Sequence, residues 1–260
     1  MTAAASNVAP FYDHVWDVWG ELDRDSPAAF HRRRLILTLV REHARSASQV
    51  LELGCGQGTL LKKLELELPA AVVQGADVSP RSLEKSRELG CRAELFELDL
   101  AALDFEARHA ARLGHFDLVI CSEVLEHLAD DKLALERIRS LLAPGGHLIV
   151  TVPSGQRTRF DRALGHVRHY TRSGLAWRLR EADYDVERAL AWGFPFHNLY
   201  RLLVAMGARL SLDAGAAGGP ALPRGTVGLG YRALARALKP LYFLNRPYWG
   251  PQLLAVARKR

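Results

Sequence analysis

Cysteine is scarce in this chain: Cys55, Cys91 and Cys121 are the only three in 260 residues. An odd number, with no Cys-x-x-Cys and no Cys/His spacing, excludes a disulfide framework and the common zinc sites. Each thiol stands in or just after an apolar strand-like run, the setting of a small buried hydrophobe in a reducing compartment. No apolar run approaches the length that crosses a bilayer. The opening residues, MTAAASNVAPFYDH, lack a basic stretch followed by an apolar one, so no secretory signal is expected and the expected location is the cytoplasm. Charge of one sign is not concentrated either. Lys+Arg of 35 against Asp+Glu of 29 gives +6, spread along the chain and not gathered into an arm, which argues against a nucleic-acid partner. What is present is globular: 48% hydrophobic and 25% charged residues, in a chain long enough for one large α/β domain or two small ones.

Residues 11–45 read as helix, with Ser26 and Pro27 as a cap and first-turn pair. Strand and helix then alternate. QVLELG (49–54), AVVQGAD (71–77), CRAELFELD (91–99), FDLVICS (116–122) and HLIVTVP (147–153) read as strands. TLLKKLELEL (59–68), PRSLEKSREL (80–89, capped by Ser79) and DDKLALERIRSLL (130–142) read as helices, the last stopped by Pro144-Gly145-Gly146. Such alternation predicts a parallel sheet covered on both faces. Beyond residue 153, a helix at 173–182, a strand at 184–192 and a helix carrying Leu199, Leu202, Leu203, Met206 and Leu210 are expected. The Gly/Pro/Ala-rich stretch 213–228 reads as a linker, and 229–239 as a basic helix. PQLLAVARKR closes the chain as a final strand. The expected organisation is a helical cap (1–45), an α/β core (46–193), a helical insertion that walls or covers a substrate (194–248), and a last core strand (249–260).

The sharpest local signal is Glu52-Leu-Gly54-Cys-Gly56-Gln-Gly58, at a strand-to-helix turn. Glycines permit positive φ and a close approach of ligand to backbone, and the free N–H groups of a helix start favour negative charge. The spacing is not the G-x-G-x-x-G of dinucleotide sites. It closely resembles the S-adenosylmethionine (SAM)-binding motif of class I methyltransferases, and the matching stretch runs over about residues 48–155. The resemblance implies a Rossmann-like α/β fold, a mostly parallel seven-stranded sheet, with SAM as cofactor and S-adenosylhomocysteine as product. It also places roles on residues. Asp77, followed by Val78, stands where an acid accepts from both ribose hydroxyls; Asp99 and Leu100 stand where the adenine is read. Ser122 and Glu123 end the fourth strand beside the donor, and Tyr12, in the helix before the core, either covers the methionine end or packs in the core.

A second segment, Gly165-His166-Val-Arg168-His169-Tyr170-Thr171, resembles the histidine loop of the ubiquinone-type and natural-product methyltransferases, a loop that faces the methyl donor. There the family has A-G-F after the next helix, where this chain has Ala182-Asp183-Tyr184. His166 or His169 either takes a proton from the acceptor, as an imidazole near working pH can, or braces the loop together with Arg168; His127 is placed near the acceptor. Glu123, Glu126 and His127 form an E-x-x-E-H string that one branch of quinone O-methyltransferases uses for a divalent cation. Two acids and one imidazole do not compel that reading, and no metal is expected here. The expected activity is methyl transfer from SAM to an O, N or C nucleophile of a small-molecule acceptor. Three alternatives stay open: a lipid acceptor met at a membrane surface through the 229–249 segment, SAM chemistry other than methyl transfer, and a nucleic-acid acceptor. Against the last, Ser122-Glu123-Val124-Leu125 stands where base methylases carry [N/D]-P-P-[Y/F/W].

Overall fold

A computed structural model of the chain describes residues 9–14, 16, 26–203, 233–246 and 248–260. Helix α1 (Pro27–His43) starts at the expected cap, with Ser26 Oγ accepting from the Ala29 N–H at 3.3 Å. The continuous helix expected over 11–45 is two pieces: residues 9–14 are helical, and α1 begins afresh at Pro27. A proline suits a first turn and lacks the N–H that a continuing helix needs. There follow β1 (Gln49–Leu53), α2 (Leu61–Glu67), β2 (Val72–Asp77), α3 (Pro80–Glu88), β3 (Glu94–Glu97), α4 (Phe105–Arg108), β4 (Phe116–Ser122), α5 (Asp131–Leu141) and β5 (Leu142–Pro153). Next come α6 (Arg159–Ala163), α7 (Arg172–Glu181), β6 (Tyr184–Trp192) and β7 (Gln252–Lys259).

The short helices α4 and α6 were not expected from the pattern, and β3 is shorter than the run 91–99. Pro144-Gly145-Gly146 does not separate α5 from β5. The strand starts at Leu142, and the register shifts opposite Phe116 and Leu118. At Gly146 an added Cβ would stand 2.9 Å from the Phe116 carbonyl oxygen, so only glycine admits this approach of two backbones. The Asp183 of the Ala-Asp-Tyr departure has φ +64°, the left-handed conformation in which a glycine is most at ease.

The seven strands lie in the order β3-β2-β1-β4-β5-β7-β6. β7 runs antiparallel between β5 and β6, and the other pairings are parallel. Alternation with period two sends Val50, Leu118, Ile120 and Ile149 to one face, against Ile36, Leu39 and Val40 of α1 and Leu61 and Leu64 of α2. Leu51, Leu53, Val119, Cys121 and Val150 face the other way, against Leu135, Ile138 and Leu141 of α5 and Leu179 of α7. Cys55 and Cys121 are buried as expected, whereas Cys91 is half-buried. Among the described residues no helix is long and apolar enough to cross a membrane. Of the segment 194–248, residues 196–203 and 233–238 are helical and Pro240–Leu244 form a 3-10 turn. The expected linker 213–228, Met206 and Leu210, and Arg232 lie outside the described residues.

One buried carboxylate ties the histidine loop to this frame. Asp131, at the first turn of α5, accepts from the Tyr170 hydroxyl at 2.8 Å and pairs with Arg168 at 2.5 Å and Arg178 at 3.4 Å. Burial alone would raise its pKa, but Arg168 and Tyr170 outweigh that and hold the carboxyl below its ordinary range. The Tyr170 N–H also donates to the Pro153 carbonyl at 3.0 Å, and the Val167 N–H to that of Glu126 at 2.8 Å. Removing the charge leaves Arg168 without its anionic partner, while Arg178 keeps Glu181 at 2.7 Å. Asp131→Asn is therefore expected to cost on the order of 2–3 kcal/mol of stability in urea unfolding; a midpoint equal to wild type would show that the loop is held by other contacts.

Candidate active site

The carboxyl ends of β1, β2 and β4 open onto a cavity of about 650 Å³, the place where open α/β sheets bind ligands. Of the residues expected to hold a cofactor, Gly54, Asp77, Val78, Asp99, Leu100, Glu123 and Tyr12 line it. Glu52, Gly56, Gly58 and Ser122 stand behind that wall. Gly56 is at φ +55° and its N–H donates to Asp77 Oδ2 at 2.8 Å, while the Ser79 N–H donates to Oδ1 at 2.9 Å. The carboxylate expected at the ribose thus also sets the shape of the glycine turn. Burial pushes the Asp77 carboxyl up, and the Ser79 and Gly56 N–H groups pull it back. Asp99 caps its own turn, accepting from the Ala101 N–H at 2.8 Å.

The N-terminal segment closes this end. Asp13 Oδ1 accepts from the Ser79 hydroxyl and from the Arg81 N–H at 3.2 Å, and the Trp16 carbonyl accepts from Lys85 Nζ at 3.0 Å. The Trp16 ring lies so close over Gly56 that an added Cβ would stand 2.3 Å from Trp16 Cζ2. Tyr12 packs edge-on against His127, ring centres 5.4 Å apart. Trp19 lies outside the described residues.

The E-x-x-E-H string does not present one face. Glu123 takes φ +58°, an uncommon backbone for a residue with a side chain. Its carboxylate turns away to the Thr151 hydroxyl (3.0 Å), Gln252 Nε2 (3.3 Å) and Arg32 (3.4 Å). Leu125–His127 then form a 3-10 turn that sends Glu126 inward. Glu126 is fully buried, and neither of its carboxyl oxygens has a hydrogen-bond partner. Burial, then repulsion from Glu123, raises its pKa well above the ordinary value and drives it toward the neutral acid.

Beside it stand the histidines. His127 and His166 line the cavity, ring centres 4.7 Å apart, and His169 sits behind His166. His166 Nδ1 lies 3.0 Å from His169 Nε2, and His169 Nδ1 lies 3.2 Å from the Gly155 carbonyl oxygen. Burial lowers the His127 and His166 pKa values to about 4 each, and lowers that of His169 as well. All three are neutral at pH 7. Glu126, His127 and His166 come close enough to share a cation, as do Asp161, His166 and His169. Neither group is assigned one. In the first the carboxyl is driven toward its neutral form; in the second the Asp161 oxygen already accepts from Thr158 and Arg201.

The opposite wall draws on the 194–248 segment expected to wall a substrate, but none of its lining residues was singled out in the sequence. Arg32, His197, Tyr200, Arg201 and Gln252 converge there from α1, the 196–203 helix and β7. Arg201 pairs with Asp161 at 3.0 Å, and Ser26 and Tyr200 meet at 3.3 Å. Leu202, expected on an apolar stripe, is instead exposed, as is Leu199. His197 is buried beside the Tyr242 hydroxyl at 3.1 Å, and burial lowers its pKa to about 3. An imidazole whose folded pKa lies below its unfolded value of about 6.5 leaves the unfolded state holding more protons in between, so its contribution is whole above pH ~6.5 and is lost as pH falls toward the folded value. Relative to His197→Phe, wild type should lose on the order of 1 kcal/mol per pH unit between pH ~6.5 and ~4.5. Parallel stability curves for the two proteins over that range would contradict a neutral, buried His197.

Residues 25–189 match the family described as methyltransferase domain. The trans-aconitate 2-methyltransferase of Paracidovorax citrulli is 30% identical over 129 residues, 50% of this chain and 48% of that one. The ubiquinone biosynthesis O-methyltransferase of Pectobacterium atrosepticum is 32% identical over 136 residues, 51% of this chain and 53% of that one. The chain thus spans about half the length of these curated relatives. Among solved structures, the N-methyltransferase NodS of Bradyrhizobium japonicum, in complex with S-adenosyl-L-homocysteine, superposes with a TM-score of 0.55 at 21% identity, over 90% of this chain and 89% of that one. That likeness gives the fold, Rossmann-like and of the class I methyltransferase type. The matched family covers the sheet from β1 to β5, the glycine turn and the histidine loop alike, and this chain belongs to the methyltransferase-domain family.

Proposed function

We propose that the chain binds SAM at the glycine turn and transfers its methyl group to an oxygen of a small-molecule acceptor, with His166 as the base. The observation that carries this reading is the pair of neutral imidazoles lining the cavity just past β4, against a wall that includes the Asp77 carboxylate. A neutral hydroxyl must lose a proton as it gains a methyl group, whereas a pre-ionised nucleophile needs no base. The O-methyltransferase among the relatives supports oxygen. The cavity would position donor and acceptor in line and exclude water. A base with a pKa of about 4 is too weak to strip an alcohol or phenol beforehand. It accepts the proton while the C–O bond forms.

SAM or its demethylated product should stabilise the protein by ~2.7 kcal/mol at a hundredfold excess over Kd, and calorimetry without heat or thermal shift at millimolar ligand would dispose of the reading. Asp77→Asn should weaken SAM binding by roughly 30-fold, about 2 kcal/mol. Because Asp77 also shapes the glycine turn, a partial loss of stability is expected with it. His166→Ala should lower kcat by ~10²–10⁴ with SAM affinity nearly intact. The acid limb of the rate should fall near pH 4, below the ordinary imidazole range, and a limb centred near pH ~6.5 would assign it to a solvated group.

A further inference from the structure

We infer that His169 is the positioning residue of His166, fixing the tautomer that leaves the His166 lone pair on Nε2. The inference rests on the reading of His166 as the base and gives the second histidine of the loop a role of its own. A backbone carbonyl can only accept, so His169, 3.2 Å from the Gly155 oxygen, carries its proton on Nδ1. A neutral imidazole has one N–H, and His169 Nε2 is then an acceptor. The only hydrogen bond that can span the 3.0 Å between His169 Nε2 and His166 Nδ1 is one donated by His166. His166 therefore holds its proton on Nδ1 and has its free electron pair on Nε2. The chain of hydrogen bonds is anchored on a carbonyl acceptor that cannot titrate and ends on a ring that lines the cavity.

The same contacts give the proton a way out of the site. When His166 Nε2 takes the proton of the acceptor hydroxyl, the Nδ1 proton can pass along the 3.0 Å contact to His169 Nε2. His166 stays neutral, and the positive charge rests on His169, 3.9 Å from Asp161 Oδ2. Charged and titratable groups face the pair from each side. Asp161 on α6 favours the charged form; Arg201 on the 196–203 helix and Arg157, whose guanidinium donates to the His166 carbonyl, oppose it. His127 packs on the cavity side of His166. Asp161 is itself held by the Thr158 N–H at 2.7 Å and by Arg201 at 3.0 Å, so the carboxylate that faces this charge is fixed in place. Catalytic triads use the same device, in which a third group dictates the tautomer of the histidine base.

Nitrogen NMR of the full chain labelled with 15N-histidine reads the tautomer directly, with His166→Ala to assign the resonances. At pH 7 the wild type should show His166 protonated on Nδ1 and bare on Nε2. His169→Leu should give a mixture of tautomers and change the rate at which diethyl pyrocarbonate modifies His166, read by mass spectrometry, by fivefold or more. His169→Gln keeps an acceptor at the same reach and should restore the wild-type spectrum and rate. A wild-type His166 protonated on Nε2, or a spectrum that His169→Leu leaves unchanged, overturns the assignment; if the leucine variant does not fold, the wild-type and glutamine spectra decide it. Full turnover by His166→Ala would remove the base reading instead, and the tautomer measured by NMR would stand apart from that result.

Discussion

The arrangement depends on burial past the end of β4, which drives three titratable groups toward their neutral forms. Glu126 there is fully buried without a hydrogen bond, and an ionised carboxyl in that position would cost several kcal/mol. The fold responds by driving the group toward neutrality, and the same burial drives His127 and His166 to their neutral forms. Three groups that would be charged or half-charged in water become uncharged donors and acceptors lining one cavity. Of the charged groups around it, Glu123 and Asp161 on its wall and Asp131 behind it are each held by named partners.

Packing supplies the rigidity that this electrostatic state needs. Asp131 locks the histidine loop to the start of α5, and the loop's backbone bonds to Pro153 and Glu126 lock it to β5 and to the turn after β4. Holding side chains on such a frame keeps their order small and their geometry fixed, which is what catalysis by positioning requires. The left-handed backbone at Glu123 belongs to the same frame. It turns one acid of the E-x-x-E-H string toward Arg32 and leaves the other to the interior.

Much of the frame was legible because it is written locally. Short apolar runs marked β1, β2, β4 and β6, the caps at Ser26 and Ser79 marked helix starts, and the glycine turn and Asp77 lie within one strand-turn-helix unit. Residues brought together over long spans were not. Ser26 meets Tyr200 across 174 positions, and no periodicity reports such a contact. Trp16 over Gly56, Gln252 beside Glu123 and the insertion of β7 between β5 and β6 are likewise products of tertiary folding. The lowered pKa of His166 was invisible for a different reason, since residue type gives the ordinary value and only burial gives the departure from it.

The walls of the cavity have two origins. The glycine turn, Asp77, Glu126, His127 and His166 fall within the family match at 25–189. Tyr12, Trp16, His197, Tyr200, Arg201 and Gln252 fall outside it, on the segments before and after. The shared part holds the groups assigned to donor and base and most of the remaining wall, and the unshared part adds Tyr12 and Trp16 from before it and the other four from after it. Relatives built on the same sheet can therefore keep one chemistry and diverge in acceptor by exchanging only their ends. Under the proposed methyl transfer, discrimination among acceptors should be altered by grafting residues 9–16 and 196–203, with the sheet left as it is.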